Sequence, residues 1–398
     1  MLERLAPSEA APSIMEEAFS LAFGDLPLEA VLAMREGTAW RHFAGGAPRY
    51  AGLLSIAVLD AFLRTDGART PRISMADEGR EGSAGVPEHE YALPDGRVDL
   101  PRLLRRFDAG ASLVASQFHE THPPLGRFCR GLEKLFLHGC QTNIYLTPPR
   151  AQGFRSHFDT HDVLVLQVSG QKRWRVWDGQ RVENPTRRTP WPGNLPPDGE
   201  PHVIVMEPGD ALYIPRGVMH DAATEPGAPS LHITVGLLEP SWAQALRMLV
   251  DSDEVEATPL REAVPTWRLA EPDALAGMLE TMASKLRGLG SPAHAERLSM
   301  MLLDQLARDR QPLPARGLFM GDLMPNARMR LADGMHHHVA VAPDGGAALH
   351  WTCGEITLTE TEVVWLEPLT AGATAEELGE GALDFMRRLA REGLLEVA

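Results

Sequence analysis

A chain of 398 residues, 44% apolar and 23% charged, has the make-up of a water-soluble globular protein and is long enough for two or three domains. No apolar stretch approaches the ~20 residues that a membrane-spanning helix needs. With 38 basic against 54 acidic residues, the formal charge of -16 disfavours nonspecific binding to nucleic acid. Cys129, Cys140 and Cys353 show no CxxC spacing, which argues against a disulfide framework and against a cysteine zinc site. The opening MLERLAPSEAAPSIMEEAFSLAFG carries glutamates where a secretory signal is basic, so a cytoplasmic protein is expected.

Up to about residue 140 the pattern is helical, broken by proline and glycine. LEAVLAMREG reads as a helix stopped by Gly37, and PPLGRFCRGLEKLFLHG as a helix opened by proline and closed at Gly139. From Asn143 to about Leu238 it changes to short β runs: NIYLT, VLVLQV, RWRVW, HVIVM, ALYIP and SLHITVGLL, punctuated by SGQK, EPGD and PRG turns. Closely spaced strands of this kind predict a sandwich or barrel, with SGQK and the Gly209 to Pro215 stretch turning hairpins.

Three helices are expected next, in SWAQALRMLVDS, PDALAGMLETMASKLRGLG and SPAHAERLSMMLLDQLARD, the last two opening with Pro272 and Asp273 and with Ser291 and Pro292. Their Leu/Met stripes suit a core or a dimer surface. Residues 313–398 predict a small α+β module, with strands at HHHVAVAP, ALHWTC and EITLTE and a helix over AEELGEGALDFMRRLAREG. It has the size of a winged helix, but its six arginines and no lysine face thirteen acidic residues, the wrong sign for holding phosphates.

The chemistry concentrates in HFDTHD, residues 157–162, just before VLVLQV. Side chains two apart on an extended backbone share a face, which puts the His157 imidazole beside the Asp159 carboxylate. Further on, Pro215, Gly217 and His220 read P-x-G-x-x-H, a corner that delivers a third ligand. Two histidines and one carboxylate form a facial triad for Fe(II) that leaves open positions, and open positions mean catalysis. His161 shares the parity of His157 and Asp159, so alternation alone leaves a second ligand set open; it reads as a pocket-rim residue, and Asp162 as a carboxylate tying backbone at the strand start. Open positions suit a 2-oxo acid that chelates the metal, whose far carboxylate needs a cation; Lys172 is either that cation or an ordinary solvated hairpin lysine. His232, Thr234 and Gly236 share one strand face, and Asn143 shares another with Tyr145, where a bound carboxylate would satisfy buried polar groups. In HHH, residues 336–338, only His336 and His338 could converge, and with no third ligand they read as a solvated strand edge.

NIYLTPP, HFDTHDVLVLQVSGQKRWRVW, EPGDALYIPRGVMH and LHITVG resemble the JmjC-type ribosomal oxygenases, 2-oxoglutarate-dependent hydroxylases of ribosomal-protein side chains. The resemblance implies an α+β protein with a double-stranded β-helix, a jelly roll of the cupin/JmjC type, preceded by N-terminal helices. Residues 1–240 would be the catalytic domain with its barrel at about 140–240, residues 241–312 a helical dimerisation region and 313–398 a winged-helix-like module not used on DNA. His157, Asp159 and His220 would hold Fe(II); Lys172 would pair with the far carboxylate of 2-oxoglutarate, with Asn143 and Thr234 lining the co-substrate and Tyr145 near the substrate. The implied activity consumes O2 and 2-oxoglutarate and hydroxylates arginine or histidine, at the β-carbon, in a basic ribosomal protein, by a cytoplasmic homodimer. A hydroxylase of a precursor peptide, a cupin-like metal-binding protein and a silent dimeric scaffold are the rival readings.

Overall fold

The computed structural model describes residues 13–79, 85–189, 199–251, 263–268, 274–308, 323–341, 345–352 and 354–398. Cys353, Pro272 and Asp273, and the first residues of the expected C-terminal module, lie outside these. The chain divides into two compact units, Met1–Glu239 and Pro240–Ala398.

In the first unit the elements are α1 (Ile14–Phe23), α2 (Leu28–Glu36), β1 (Arg41–Phe43), α3 (Ile56–Leu63), β2 (Ile73–Ala76), α4 (Leu100–Asp108), β3 (Ser112–Ala115), α5 (Pro123–Phe136), β4 (Gly139–Thr147), β5 (Asp162–Ser169), β6 (Lys172–Gln180), β7 (His202–Met206), β8 (Ala211–Ile214), β9 (Val218–Thr224) and β10 (Ser230–Leu238). Helix α1 opens with a capping box in which Ser13 and Glu16 satisfy each other's backbone N–H groups. Helix α2 stops at Gly37 as expected. Helix α5 ends at Phe136, three residues before the predicted Gly139, because Leu137 takes the left-handed conformation and Gly139 already begins β4.

Two antiparallel sheets face each other. Seven strands run in the order β1-β8-β5-β10-β4-β3-β2, and three in the order β7-β6-β9. The run VLVLQV does not alternate in polarity because both of its faces are covered. Leu164 and Leu166 of β5, Tyr213 of β8 and Ile233 and Val235 of β10 point outward into a core shared with α1 and α5. Val163, Val165, Leu212 and Ile214 point inward and meet Trp174, Val176, Met206 and Val218 from the smaller sheet. The inward face of β10 instead carries His232 and Thr234, so the space between the sheets is apolar toward one end and polar toward the other.

This arrangement corrects the predicted hairpins. β5 and β8 belong to the large sheet while β6 and β9 belong to the small one, so SGQK and PRG carry the chain from one sheet to the other. Strand β9, with His220 on it, was not among the predicted strands, and neither were β1 to β3, which extend the large sheet beyond the barrel.

The second unit holds α6 (Trp242–Asp251), α7 (Ala274–Arg287), α8 (Pro292–Arg308), β11 (Met329–Leu331), β12 (His337–Val341), β13 (Ala347–Trp351), β14 (Gly354–Leu358), α9 (Glu360–Ala371), α10 (Ala375–Leu378), α11 (Ala382–Arg391) and β15 (Leu395–Val397). The three predicted helices and three predicted strands are present. The C-terminal helix is two helices, split where Gly379 and Gly381 adopt positive φ, and α9 is an addition opened by a Thr359–Glu362 capping box. Leu349, Trp351, Leu369, Phe385 and Leu389 form the core of this unit.

The corner before β9 depends on Gly217. It has φ +76°, and a Cβ there would lie 2.1 Å from the Val182 carbonyl oxygen. Its N–H also donates to the carbonyl of Asp159 at 3.0 Å. Gly217→Ala is expected to lower unfolding stability by roughly 1–3 kcal/mol in denaturant melts.

Candidate metal and co-substrate site

His157 and His220 exchange both backbone hydrogen bonds, at 2.9 and 2.8 Å, so they sit directly opposite each other across an antiparallel bridge. Opposed residues share a face, and the two imidazole rings lie 4.5 Å apart between centroids. Asp159, two residues beyond His157, brings its carboxylate to 3.7 Å from Nε2 of His220. One ligand atom from each of the three lies within 4.8 Å of the others.

Both rings are oriented for coordination. Nδ1 of His157 is 2.8 Å from the Arg155 carbonyl and Nδ1 of His220 is 3.0 Å from that of Val218. A carbonyl can only accept, so each Nδ1 carries the proton and each Nε2 keeps its lone pair. Burial, reinforced by the neighbouring His157, pushes the His220 pKa down to about 4, which holds the ring neutral as a metal ligand requires. The donor set, its tautomers and its partial burial fit a divalent metal with open positions.

The loop carrying His157 and Asp159 is tied at both ends. Asp221, next to His220 on β9, accepts two hydrogen bonds from Arg175 at 2.8 and 2.7 Å and a short one from the Ser156 hydroxyl. At the other end, Asp162 accepts from the Arg216 N–H at 2.9 Å and from the Tyr213 hydroxyl at 2.8 Å, the backbone-tying role expected of it. His161 is not in the cleft lining. Its ring occupies the space that a Cβ on Gly236 would need, 2.5 Å away.

The cleft between the sheets is lined by the triad together with Tyr145, Thr147, Phe154, Lys172, Trp174, His232 and Thr234. Lys172 and the position opposite His220, Val176, share a face of β6, about 13 Å apart at roughly 3.3 Å per residue. The triad and the lysine therefore serve one cleft from separate places. Lys172 is only 4% exposed. Its Nζ donates to Thr147 Oγ1 at 3.0 Å, and no carboxylate among the described residues pairs with it. Burial lowers its pKa from 10.5 to about 7. His232 stacks on Tyr145 at 4.9 Å, is held neutral by burial and by Lys172, and leaves Nδ1 buried without a partner.

Of the remaining candidates, Tyr145 and Thr234 face the cleft. Asn143 is paired with Thr234 in the β4–β10 register, but its Oδ1 accepts the Gln117 N–H at 3.2 Å and it is not part of the lining. Sequence reasoning passed over Thr147 and Trp174, although each lies two residues from a named candidate on the same strand. Asp221 and Ser112, which donates to Thr147 at 3.0 Å, carry no sequence signal.

The sign of the Lys172 effect is testable. In the unfolded chain this amine titrates near 10.5, and in the fold near 7, so the unfolded chain binds more protons across that interval. The cost to stability is full below pH 7 and fades as pH rises toward 10.5. Lys172→Met is expected to stabilise the fold at pH 7 by roughly 1–4 kcal/mol and to flatten the rise of melting temperature with pH, read by thermal melts from pH 6.5 to 9.5.

Residues 116–245 match the JmjC domain family. The chain is 29% identical over 271 residues to the bifunctional lysine-specific demethylase and histidyl-hydroxylase NO66 of Aedes aegypti, covering 65% of this chain and 42% of that protein. It is 32% identical over 225 residues to ribosomal oxygenase 1 of Bos taurus, covering 56% and 32%. The chain thus spans less than half the length of these relatives. The crystal structure of the Escherichia coli ribosomal oxygenase YcfD is similar in fold, with TM-score 0.55, 17% identity and coverage of 94% and 98%. A further structure of YcfD, in complex with cobalt and 2-oxoglutarate, matches with TM-score 0.54, 17% identity and coverage of 93% and 98%. Over residues 116–245 the two-sheet barrel with its His157, Asp159 and His220 cluster is thus similar to the JmjC domain family.

Proposed function

We propose that this chain is an iron(II)- and 2-oxoglutarate-dependent oxygenase that hydroxylates a side chain of a ribosomal protein. The observation that carries this reading is the buried Lys172 ammonium, without a carboxylate partner, in the same cleft as a two-histidine, one-carboxylate triad. A buried cation is costly unless an anion joins it. A dicarboxylate co-substrate meets that need at one end and metal coordination at the other.

In this reading Nε2 of His157 and His220 and the Asp159 carboxylate would hold the iron, which would supply the oxidative chemistry. Lys172, with the Thr147 hydroxyl, binds the far carboxylate. Val163, Val165, Trp174 and Ala222 keep water from the cleft. Thr234, with Asn143 behind it, borders the co-substrate, and Tyr145 and Phe154 border the target side chain. The ribosomal target is supported by the name of the Bos taurus relative, ribosomal oxygenase 1, and by the net charge of -16, which attracts basic proteins. Arginine and histidine are the target residues to examine first.

Purified chain with Fe(II), 2-oxoglutarate and O2 is expected to add 16 Da to a ribosomal protein, located by fragment mass spectrometry, and to release succinate. His157→Ala abolishes both. Absence of 2-oxoglutarate binding and turnover in metal-loaded protein would overturn the reading.

We further infer that the helical block pairs two copies of the chain. On α6, Trp242 is 88% exposed and is followed at helical spacing by Leu246 and Val250, an apolar stripe open to solvent. Light scattering is expected to give a dimer mass, falling to that of a monomer in the Trp242→Glu, Leu246→Glu variant.

A further inference from the structure

The second unit contains another convergence of metal-ligating side chains. The HHH run does lie on an edge strand, as its sequence suggests, but it is not fully solvated: His336 is buried, and His337 and His338 on β12 are half-buried. His338 is directly opposite His350 in the β12–β13 pairing, and the two rings stack with centroids 5.1 Å apart. Helix α8 packs over these strands and presents Asp304, whose Oδ1 is 3.2 Å from Nδ1 of His350. One ligand atom from each of Asp304, His338 and His350 lies within 4.8 Å of the others. The partner that sequence alone could not supply to His338 comes from the next strand and from a helix more than thirty residues earlier.

Two details point to a ligand. Nδ1 of His338 is buried and has no hydrogen-bond partner, a costly state for an imidazole nitrogen. The other nitrogen of His350, Nε2, lies 3.6 Å from the Glu355 carboxylate. At that distance the carboxylate does not hydrogen-bond the ring, but its negative charge favours positive charge at the cluster. The remaining group at the cluster is Arg308, one turn along α8, which holds the other Asp304 oxygen at 2.9 Å and leaves Oδ1 toward the histidines.

We propose that Asp304, His338 and His350 form a second divalent-cation site, of the zinc type, that fastens α8 to the β12–β13–β14 sheet. Two imidazoles and a carboxylate suit a borderline divalent ion such as Zn²⁺. Ligand bonds of about 2.0–2.1 Å place tetrahedral ligand atoms about 3.3–3.4 Å apart, so the rings close on the ion by small side-chain rotations. Because the three ligands come from a helix and two strands, the ion acts as a cross-link between elements joined by a long stretch of chain.

The test is metal counting on the full chain. Protein dialysed against Zn²⁺ in the presence of a weak competing chelator is expected to retain two zinc ions per chain by elemental mass spectrometry. His338→Ala and the near-isosteric Asp304→Asn each retain one, His157→Ala retains one, and the His157→Ala, His338→Ala double variant retains none. Hydrogen exchange gives a second reading: zinc slows exchange across α8 in wild type and in His157→Ala, and leaves it unchanged in Asp304→Asn. A single zinc in the wild type that survives both His338→Ala and Asp304→Asn overturns the proposal, as does a second zinc insensitive to both. The His157→Ala arm keeps this outcome separate from the fate of the barrel site.

Discussion

The pair of backbone hydrogen bonds between His157 and His220 is the contact on which the barrel site rests. An antiparallel bridge of this kind fixes which residues oppose each other and which face they share. A slip of one residue would turn one imidazole away from the other. The surrounding interactions hold that register. Gly217 makes the tight corner into β9 and bonds the Asp159 carbonyl, while the Arg175–Asp221–Ser156 chain holds one end of the ligand loop and Asp162 holds the other. The two histidines sit on a bridge that is clamped from both sides, which is how a loop attains the precision of a strand.

The polar cleft is possible because the large sheet is covered. Leucine, isoleucine and valine on the outward face of β5 and β10 pack against α1 and α5, where Gly131 lets the helices approach so closely that a Cβ would meet the Ile14 carbonyl at 2.2 Å. With that core secured on one side, the inward face of β10 can carry His232 and Thr234 in place of apolar residues. Burial of polar groups is then a local expense in a sheet whose other face supplies the stability.

Much of this was legible in the amino-acid order. The parity of His157 and Asp159, the P-x-G-x-x-H corner and the alternation of SLHITVGLL each encode a short-range geometry, and the structure keeps each of them. What was illegible depends on pairings between distant segments. Whether SGQK turns a hairpin or crosses between sheets is decided by which strands lie beside β5 and β6, and periodicity is silent on that. The same limit hid Asp221, whose value lies in Arg175 and Ser156 reaching it from other segments, and the cluster around His338, whose companions are Asp304 and His350. Helix ends were misplaced where a residue other than glycine took the left-handed conformation, as Leu137 does.

Lys172 shows how function and folding pull against each other in this barrel. A lysine with a pKa near 7, bonded among the described residues only to a threonine hydroxyl, destabilises the fold by itself. A methionine of similar reach would pack the same space without that penalty. The lysine makes sense when an anion enters the cleft, because the attraction between the two is strongest where water is excluded and falls off at a solvated surface. Binding an anion there would return the amine toward its ordinary pKa, so anion affinity and proton uptake would form one equilibrium above pH 7. On the proposed reading that penalty is a source of selectivity: a neutral ligand of the same shape would leave the charge buried and unpaired, whereas an anion such as a carboxylate would relieve it.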